Sequence, residues 1–290
     1  MDLFRSLLFI PGNQPKMLEK ASHFLPDVYI PDLEDSVGDN DKTDARKIVS
    51  ENIRLFKESD KLIIPRVNSL ESGLFEDDIA ALISKGINGV SVGKIYDAED
   101  IVQIDKIIST YEENLNMQIG SLSLIPWIET ASGILESKAI LKSSVRIKAA
   151  AFGAEDFTND MGIERQADNS EIQVAKSYLA IAARACGVTA LDNPFFDFKN
   201  SSALVEDCIN SKKMGYKGKF AIHPDQIDDI NKSFSPSKSD VEHARKVIQV
   251  FKEAIEQGRG STSLNGYVID VPVYKRAQNL IELAKKLGVI

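Results

Sequence analysis

Short apolar runs alternate with longer segments of helical period along most of this 290-residue chain, and nothing else in it constrains the fold so tightly. The runs at 6–10, 28–30, 62–67, 89–92, 122–128, 147–152, 188–191 and 219–222 read as strands buried on both faces. Between them, 15–24, 42–57, 75–85, 98–111, 133–141, 169–186 and 201–214 read as amphipathic helices. Eight strands with seven intervening helices predict an α/β chain folded as a (β/α)8 TIM barrel over residues 1–232. A helix candidate at 224–231 closes it, and a C-terminal helical extension follows at 233–290 with a helix candidate at 239–257. Residues 258–266 read as a flexible loop, and Tyr267-Val-Ile-Asp270-Val-Pro272 leads into a last helix.

A content of 43% hydrophobic residues supports a large core, and a net charge of −8 removes global electrostatic support for nucleic-acid or anionic-membrane binding. Any anionic substrate must be drawn by local cations. The start, Met1-Asp-Leu-Phe-Arg-Ser, lacks a charged leader with a long apolar core, and no run approaches transmembrane length. Cys186 and Cys208 have no metal-ligand spacing and read as buried reduced thiols, so a cytoplasmic setting is expected.

In a barrel of this kind ligands collect where the strands exit. Polar residues concentrate there: Gln14 and Lys16 after the first strand, Asp32, Glu34 and Asp35 after the second, and Arg66 at the third. Lys94, Glu129, Asp156, Asp192 and His223 follow at the later exits. Glu129 and Asp156, each just past a buried strand, point to a shared hard-cation site.

Seven motifs in order carry a family resemblance. Phe9-Ile-Pro-Gly12, Asp32-Leu-Glu-Asp-Ser-Val37, Pro65-Arg-Val-Asn68, Ile128-Glu-Thr130, Phe152-Gly-Ala-Glu-Asp156, Ala221-Ile-His-Pro224 and Asn265-Gly-Tyr-Val-Ile-Asp-Val-Pro272 resemble those of the HpcH/HpaI aldolase and citrate lyase β-subunit family, which includes malyl-CoA and citramalyl-CoA lyases. The resemblance implies Mg2+ on Glu129 and Asp156, and Arg66 at the reacting carbonyl or enolate oxygen. It implies substrate contacts to a CoA portion from Phe9, Lys20, Ile222 and His223. It makes Asp270 an acid/base reaching a neighbouring subunit, in a trimer or hexamer, and Glu34 and Asp35 an acidic pair around the metal's waters. Gln14 stands where some malyl-CoA lyases carry Arg, removing a phosphate contact, with Lys16 two residues on.

The chemistry such residues suit is carbon-carbon cleavage of a 3-hydroxyacyl thioester. Magnesium would hold the 2-oxo acid, Arg66 the developing oxyanion, and Asp270 would move a proton at carbon. Each assignment has a plainer competitor. Glu129 and Asp156 could form rim salt bridges, Arg66 could be only the partner of Glu34 or Asp35, and His223 a turn residue before Pro224. Lys94 reads as a solvated strand-end lysine, Asp270 as a helix N-cap, and Phe9 and Trp127 as packing. The expected reaction is Mg2+-dependent cleavage or formation of a malyl-CoA- or citramalyl-CoA-like thioester, giving acetyl-CoA and a 2-oxo acid. The alternatives are a citrate lyase β-subunit acting on a citryl thioester of acyl carrier protein, a metal-dependent aldolase of free 2-oxo acids, and a non-catalytic barrel scaffold. The apolar residues Val268, Ile269, Val271 and Val273 around Asp270 are expected to need a partner surface.

Overall fold

Every stave of the barrel has two neighbours, which is why the sheet closes. The computed structural model describes residues 3–166 and 168–290, so the opening Met1-Asp2 of the amino-terminal reading lies outside the described residues. Strands β1 (Ser6–Pro11), β2 (Val28–Asp32), β3 (Leu62–Ile63), β4 (Arg66–Val67), β5 (Gly89–Val92), β6 (Ser123–Ile128), β7 (Ala149–Phe152), β8 (Thr189–Asp192) and β9 (Gly218–Ala221) are all parallel. β1 pairs with β2 on one side and β9 on the other, completing the ring. β3 and β4 are two halves of one stave, because Pro65 between them has no N–H to give the ladder. Both halves pair with β2, so this is the predicted eight-stave (β/α)8 barrel.

Period two along the strands fills the interior. Leu7, Val28, Ile30, Ile125, Trp127, Ala149, Ala151, Leu191 and Phe220 form one buried cluster, with Phe9 packed against it. The small Ala149 and Ala151 leave room for Trp127 and Phe220, whose rings lie 4.4 Å apart. Each large side chain buried here contributes about 1.5–3 kcal/mol relative to exposure. The alternate strand residues face helices α1 (Pro15–Ala21), α2 (Lys42–Asn52), α3 (Phe75–Leu82), α4 (Ala98–Asn114), α5 (Ala131–Lys142), α6 (Ala154–Met161), α7 (Gln173–Cys186) and α8 (Ser201–Met214). α6 is absent from the sequence reading, which took its residues as a strand-exit loop. α2 and α3 are shorter than expected and finish in 3-10 turns, Ile53–Ser59 and Ile83–Lys85.

Helix α9 (Gln226–Phe234) follows β9. The chain divides into two compact units, Met1–Asn231 and Lys232–Ile290. In the second, α10 (Lys238–Glu256) and α11 (Val271–Lys286) enclose Ala244, Val247, Phe251, Ile269 and Ala277. The flexible loop expected at 258–266 ends instead in an antiparallel hairpin, β10 (Thr262–Leu264) and β11 (Tyr267–Ile269). Asn265 and Gly266 turn it with φ of 52° and 83°, the paired positive angles a tight hairpin needs. Ile269 and Val273 are covered within this unit, which corrects the expectation for them, while Val268 and Val271 stay exposed. Cys208 is buried as expected, but Cys186 is only half-buried.

Candidate active site

Strand register decides which rim residues meet. Asp32 closes β2 and is the register partner of Arg66 on β4, so the two side chains leave the sheet on one face. The guanidinium grips Asp32 as a fork, Nε to Oδ1 at 2.7 Å and Nη2 to Oδ2 at 2.6 Å. Its Nη1 reaches Asp35 at 2.8 Å and Glu34 at 3.2 Å. Phe9 lies beneath, 4.7 Å from the guanidinium carbon to the ring centroid, and stacks on Phe220. Asp32 also accepts the Glu34 and Ser36 amides at 3.0 and 3.2 Å, which curls the acidic loop over the strand end. From α2, Lys42 holds that loop by its Leu33 and Glu34 carbonyls.

Glu129 follows β6 and is 5% exposed. One of its oxygens accepts the Lys94 amide at 2.5 Å. Two glycines flank it: a Cβ on Gly153 would lie 2.4 Å from Glu129 Oε2 and 2.6 Å from its Cβ, so glycine is required there, and one on Gly93 would press on carboxylate ends, 3.1 Å from Glu129 Oε1 and 2.9 Å from Glu34 Oε1. Asp156 stands in the first turn of α6 rather than at the strand end itself, where the helix N-terminus favours negative charge. Glu155 beside it turns to Arg165 at 2.9 Å.

Electrostatics separate these carboxyls. Burial alone would raise Asp32, but Arg66 outweighs it and holds Asp32 below the usual range. Burial pushes Glu34 up to about 8 against the pull of Arg66, with Asp35, Glu129 and Asp32 adding to the rise. Burial likewise lifts Glu129 to about 7, opposed by the Lys94 amide and reinforced by Asp156. Asp156 is raised by burial and then by Asp35. Negative charge therefore exceeds what Arg66 neutralises, and Asp156 adds to the rise at Glu129. The donor set fits a small hard cation: two oxygen donors in surplus negative potential. Among the described residues no group of three His, Cys, Asp or Glu side chains is placed to hold a metal ion. A cation held by two carboxylates would keep positions for water and substrate oxygens.

The other predicted residues are dispersed. Lys20 is exposed in the last turn of α1. Ile222 and His223 give their amides to Gln226 Oε1 at 2.9 and 3.2 Å, and the His223 ring stacks on Phe198 at 4.7 Å. Asp192 does not reach the mouth. Its carboxylate turns toward the helices and meets Lys176, Lys219 and Ser211, because alternate residues of β8 face opposite sides of the sheet. Asp270 N-caps α11, accepting the Val273 amide at 3.1 Å.

The profile of the family described as HpcH/HpaI aldolase/citrate lyase matches residues 5–224. The chain belongs to that family. Citrate lyase subunit beta of Haemophilus influenzae is 33% identical over 287 residues, spanning 98% of each chain. The mitochondrial citramalyl-CoA lyase of Homo sapiens is 30% identical, covering 98% of this chain and 86% of that protein. A Mycobacterium tuberculosis CitE, solved in complex with magnesium, acetoacetate and coenzyme A, superposes with a TM-score of 0.79 at 23% identity, over 98% of each chain, and so shares the fold.

The family segment contains every predicted rim residue from Phe9 to His223, and Asp270 lies beyond it. Three roles in the site escaped sequence reasoning. Asp32 was one of three carboxylates in four residues, with nothing to say which would face Arg66. Lys94 acts on Glu129 through its amide, which no side-chain pattern reveals. Gln226 ties the Phe195 carbonyl, at 2.8 Å, to the Ile222 and His223 amides, a bridge between two strand exits with no sequence signal.

Proposed function

We propose that the chain is a Mg2+-dependent carbon-carbon lyase. It cleaves or forms a 3-hydroxy-3-carboxylic acyl thioester such as malyl-CoA or citramalyl-CoA, with an acetyl thioester and a 2-oxo acid as the other partners. One observation carries this reading: a permanently charged guanidinium, locked by a carboxylate fork, stands beside Glu129 and Asp156 in a mouth with surplus negative charge. A family whose curated members include citrate lyase β-subunits and citramalyl-CoA lyases supports it.

Glu129 and Asp156 would hold the cation, which when bound supplies a Lewis acid for the oxo acid's carboxylate and carbonyl oxygens. Asp32 keeps Arg66 from rotating, so its charge is fixed before the reaction and need not reorganise. In the condensing direction Asp270 takes a proton from the acetyl methyl, and Arg66 stabilises the enolate oxygen. The enolate carbon bonds to the oxo acid's carbonyl carbon, whose oxygen takes up a proton from water. Cleavage reverses each step, with Asp270 returning the proton to carbon. Phe9, Lys20, Ile222 and His223 line the approach of the thioester arm, and Glu34 and Asp35 order water near the cation.

Asp270 serves a neighbouring subunit's mouth in this reading, in a homo-oligomer, a trimer or hexamer. Tyr267, Val268 and Val271 around it are 78%, 69% and 46% exposed, apolar surface of the kind a partner covers. The cytoplasm is the setting we assign, in keeping with two free cysteines. Among the described residues no helix is long and apolar enough to cross a membrane.

The test is a coupled assay of acetyl-CoA with glyoxylate, pyruvate or oxaloacetate, with and without chelator. Magnesium-dependent condensation with one oxo acid is expected, and Glu129→Ala and Asp156→Ala should abolish it. Full turnover of both variants in chelator would sink the metal assignment. Turnover only with a citryl thioester of acyl carrier protein would shift the reading to a citrate lyase β-subunit.

A further inference from the structure

Among the described residues of the mouth, Lys94 is the non-glycine residue whose backbone is strained. It sits in the left-handed region at φ 57°, between β5 and α4, where a side chain is disfavoured and glycine is the usual occupant. No helix ends there, so helix termination does not explain the conformation. What the conformation does is point the Lys94 N–H at Glu129 Oε1. Gly93, just before it, lets the Glu34 and Glu129 carboxylates approach to about 3 Å from where its own Cβ would stand, and Gly153, just after β7, does the same for Glu129 alone.

We infer that the Gly93-Lys94 turn is a positioning device for Glu129: the strained amide occupies one carboxylate oxygen and leaves the other aimed at the cation. The inference rests on the proposed metal role of Glu129. The side chain of Lys94 has a separate effect. Its ammonium lies within electrostatic reach of Glu34, Asp35, Glu71 and Asp156, so it competes with a cation for the same negative potential. Backbone and side chain therefore act in opposite directions on metal affinity, and substitutions can separate them.

The experiment measures Mn2+ binding by paramagnetic resonance and calorimetry on the full chain, with no oxo acid present. Lys94→Gly keeps the amide, relaxes the strain and removes the ammonium, so binding equal to or tighter than the parent's is expected. Lys94→Pro has no N–H and cannot take a positive φ, and it should bind at least about tenfold more weakly. Gly93→Ala pushes on the same carboxylates with the amide retained and should also weaken binding, which keeps the test decisive where the proline variant does not fold. Circular dichroism and melting temperature identify the folded variants. Parent-like affinity in folded Gly93→Ala and Lys94→Pro overturns the inference, and so does a tenfold loss in Lys94→Gly. Glu129→Ala separates the two levels: if it binds Mn2+ like the parent, the metal reading fails and the positioning role with it.

Discussion

Two arginines anchor the barrel, one at each end, and their surroundings are built on opposite principles. Arg146, on the approach to β7, is 2% exposed and satisfied on every side. It donates to Glu112 at 2.6 and 2.9 Å, to Asp105, to the Ser109 hydroxyl at 2.8 Å and to the Leu122 carbonyl at 3.2 Å. Glu112 in turn accepts the Gly120 and Leu122 amides and the Ser121 hydroxyl. Burial would raise Glu112, but Arg146 and these donors bring it down to about 2. Arg66 at the mouth faces Asp32, Glu34 and Asp35, with Glu129 close by, and there burial wins for Glu34 and Glu129. The floor network is closed by hydrogen bonds, one arginine serving two carboxylates that also accept amides and hydroxyls, which makes it a stability element. The mouth is left short of positive charge, as expected where a ligand completes the structure.

Breaking each network separates the two roles. Arg146→Met should destabilise the barrel by about 3–5 kcal/mol in urea unfolding, since it leaves two carboxylates without their buried partner. Activity per folded molecule should persist, and a comparable fall in kcat would refute the division. Arg66→Lys retains a charge but loses the fork, and should lower kcat by roughly 10^2–10^3-fold, about 2.7–4 kcal/mol, with a smaller loss of stability.

If Asp270 and the proposed metal pair are both essential, mixing Asp270→Ala with Glu129→Ala and reassembling should recover part of the activity, because some mouths then combine an intact tail with an intact Glu129–Asp156 pair. Verified mixed oligomers that stay inactive would place Asp270 in cis or outside the reaction.

The two ends should also respond oppositely to pH. Glu112 has a folded value below its unfolded value of about 4.3, so its contribution is present above that value and is lost as pH falls toward about 2. Glu34 has a folded value of about 8, so the native state binds the extra proton and stability declines as pH rises from about 4 to 8. In chelator, melting temperature should fall on both sides, and Glu34→Gln should make only the alkaline limb shallower, with Glu129 still contributing to it. The smallest effect is expected at the thioester approach. Lys16→Ala combined with Lys20→Ala should raise KM for a CoA thioester a few-fold with little change in kcat, since contacts remote from the reacting carbon bind substrate and transition state alike. An unchanged KM would remove both lysines from the carrier's path.

The barrel was legible because strands buried on both faces must be continuous apolar runs, and such runs mark themselves at 6–10, 89–92 and 147–152 without knowledge of their partners. The rim was legible for a related reason: parallel strands all exit on one side, so a carboxylate after each of two strands had to share a face. Helix α6 was missed because its eight residues between Gly153 and Gly162 are too few to display a period. The β10–β11 hairpin was missed although Asn265-Gly266 between short strand-like runs signals one.

What the chain determined by itself is therefore local: where strands and helices lie, and which polar residues stand at strand exits. Register and closure decided the rest. They chose Asp32 over Glu34 as the fork for Arg66, turned Asp192 into the helix layer, brought the Lys94 amide against Glu129, and buried Glu129 deeply enough to shift its ionisation. The first three of these join residues 16–35 positions apart, and no sequence pattern specifies such a meeting before the ring has closed.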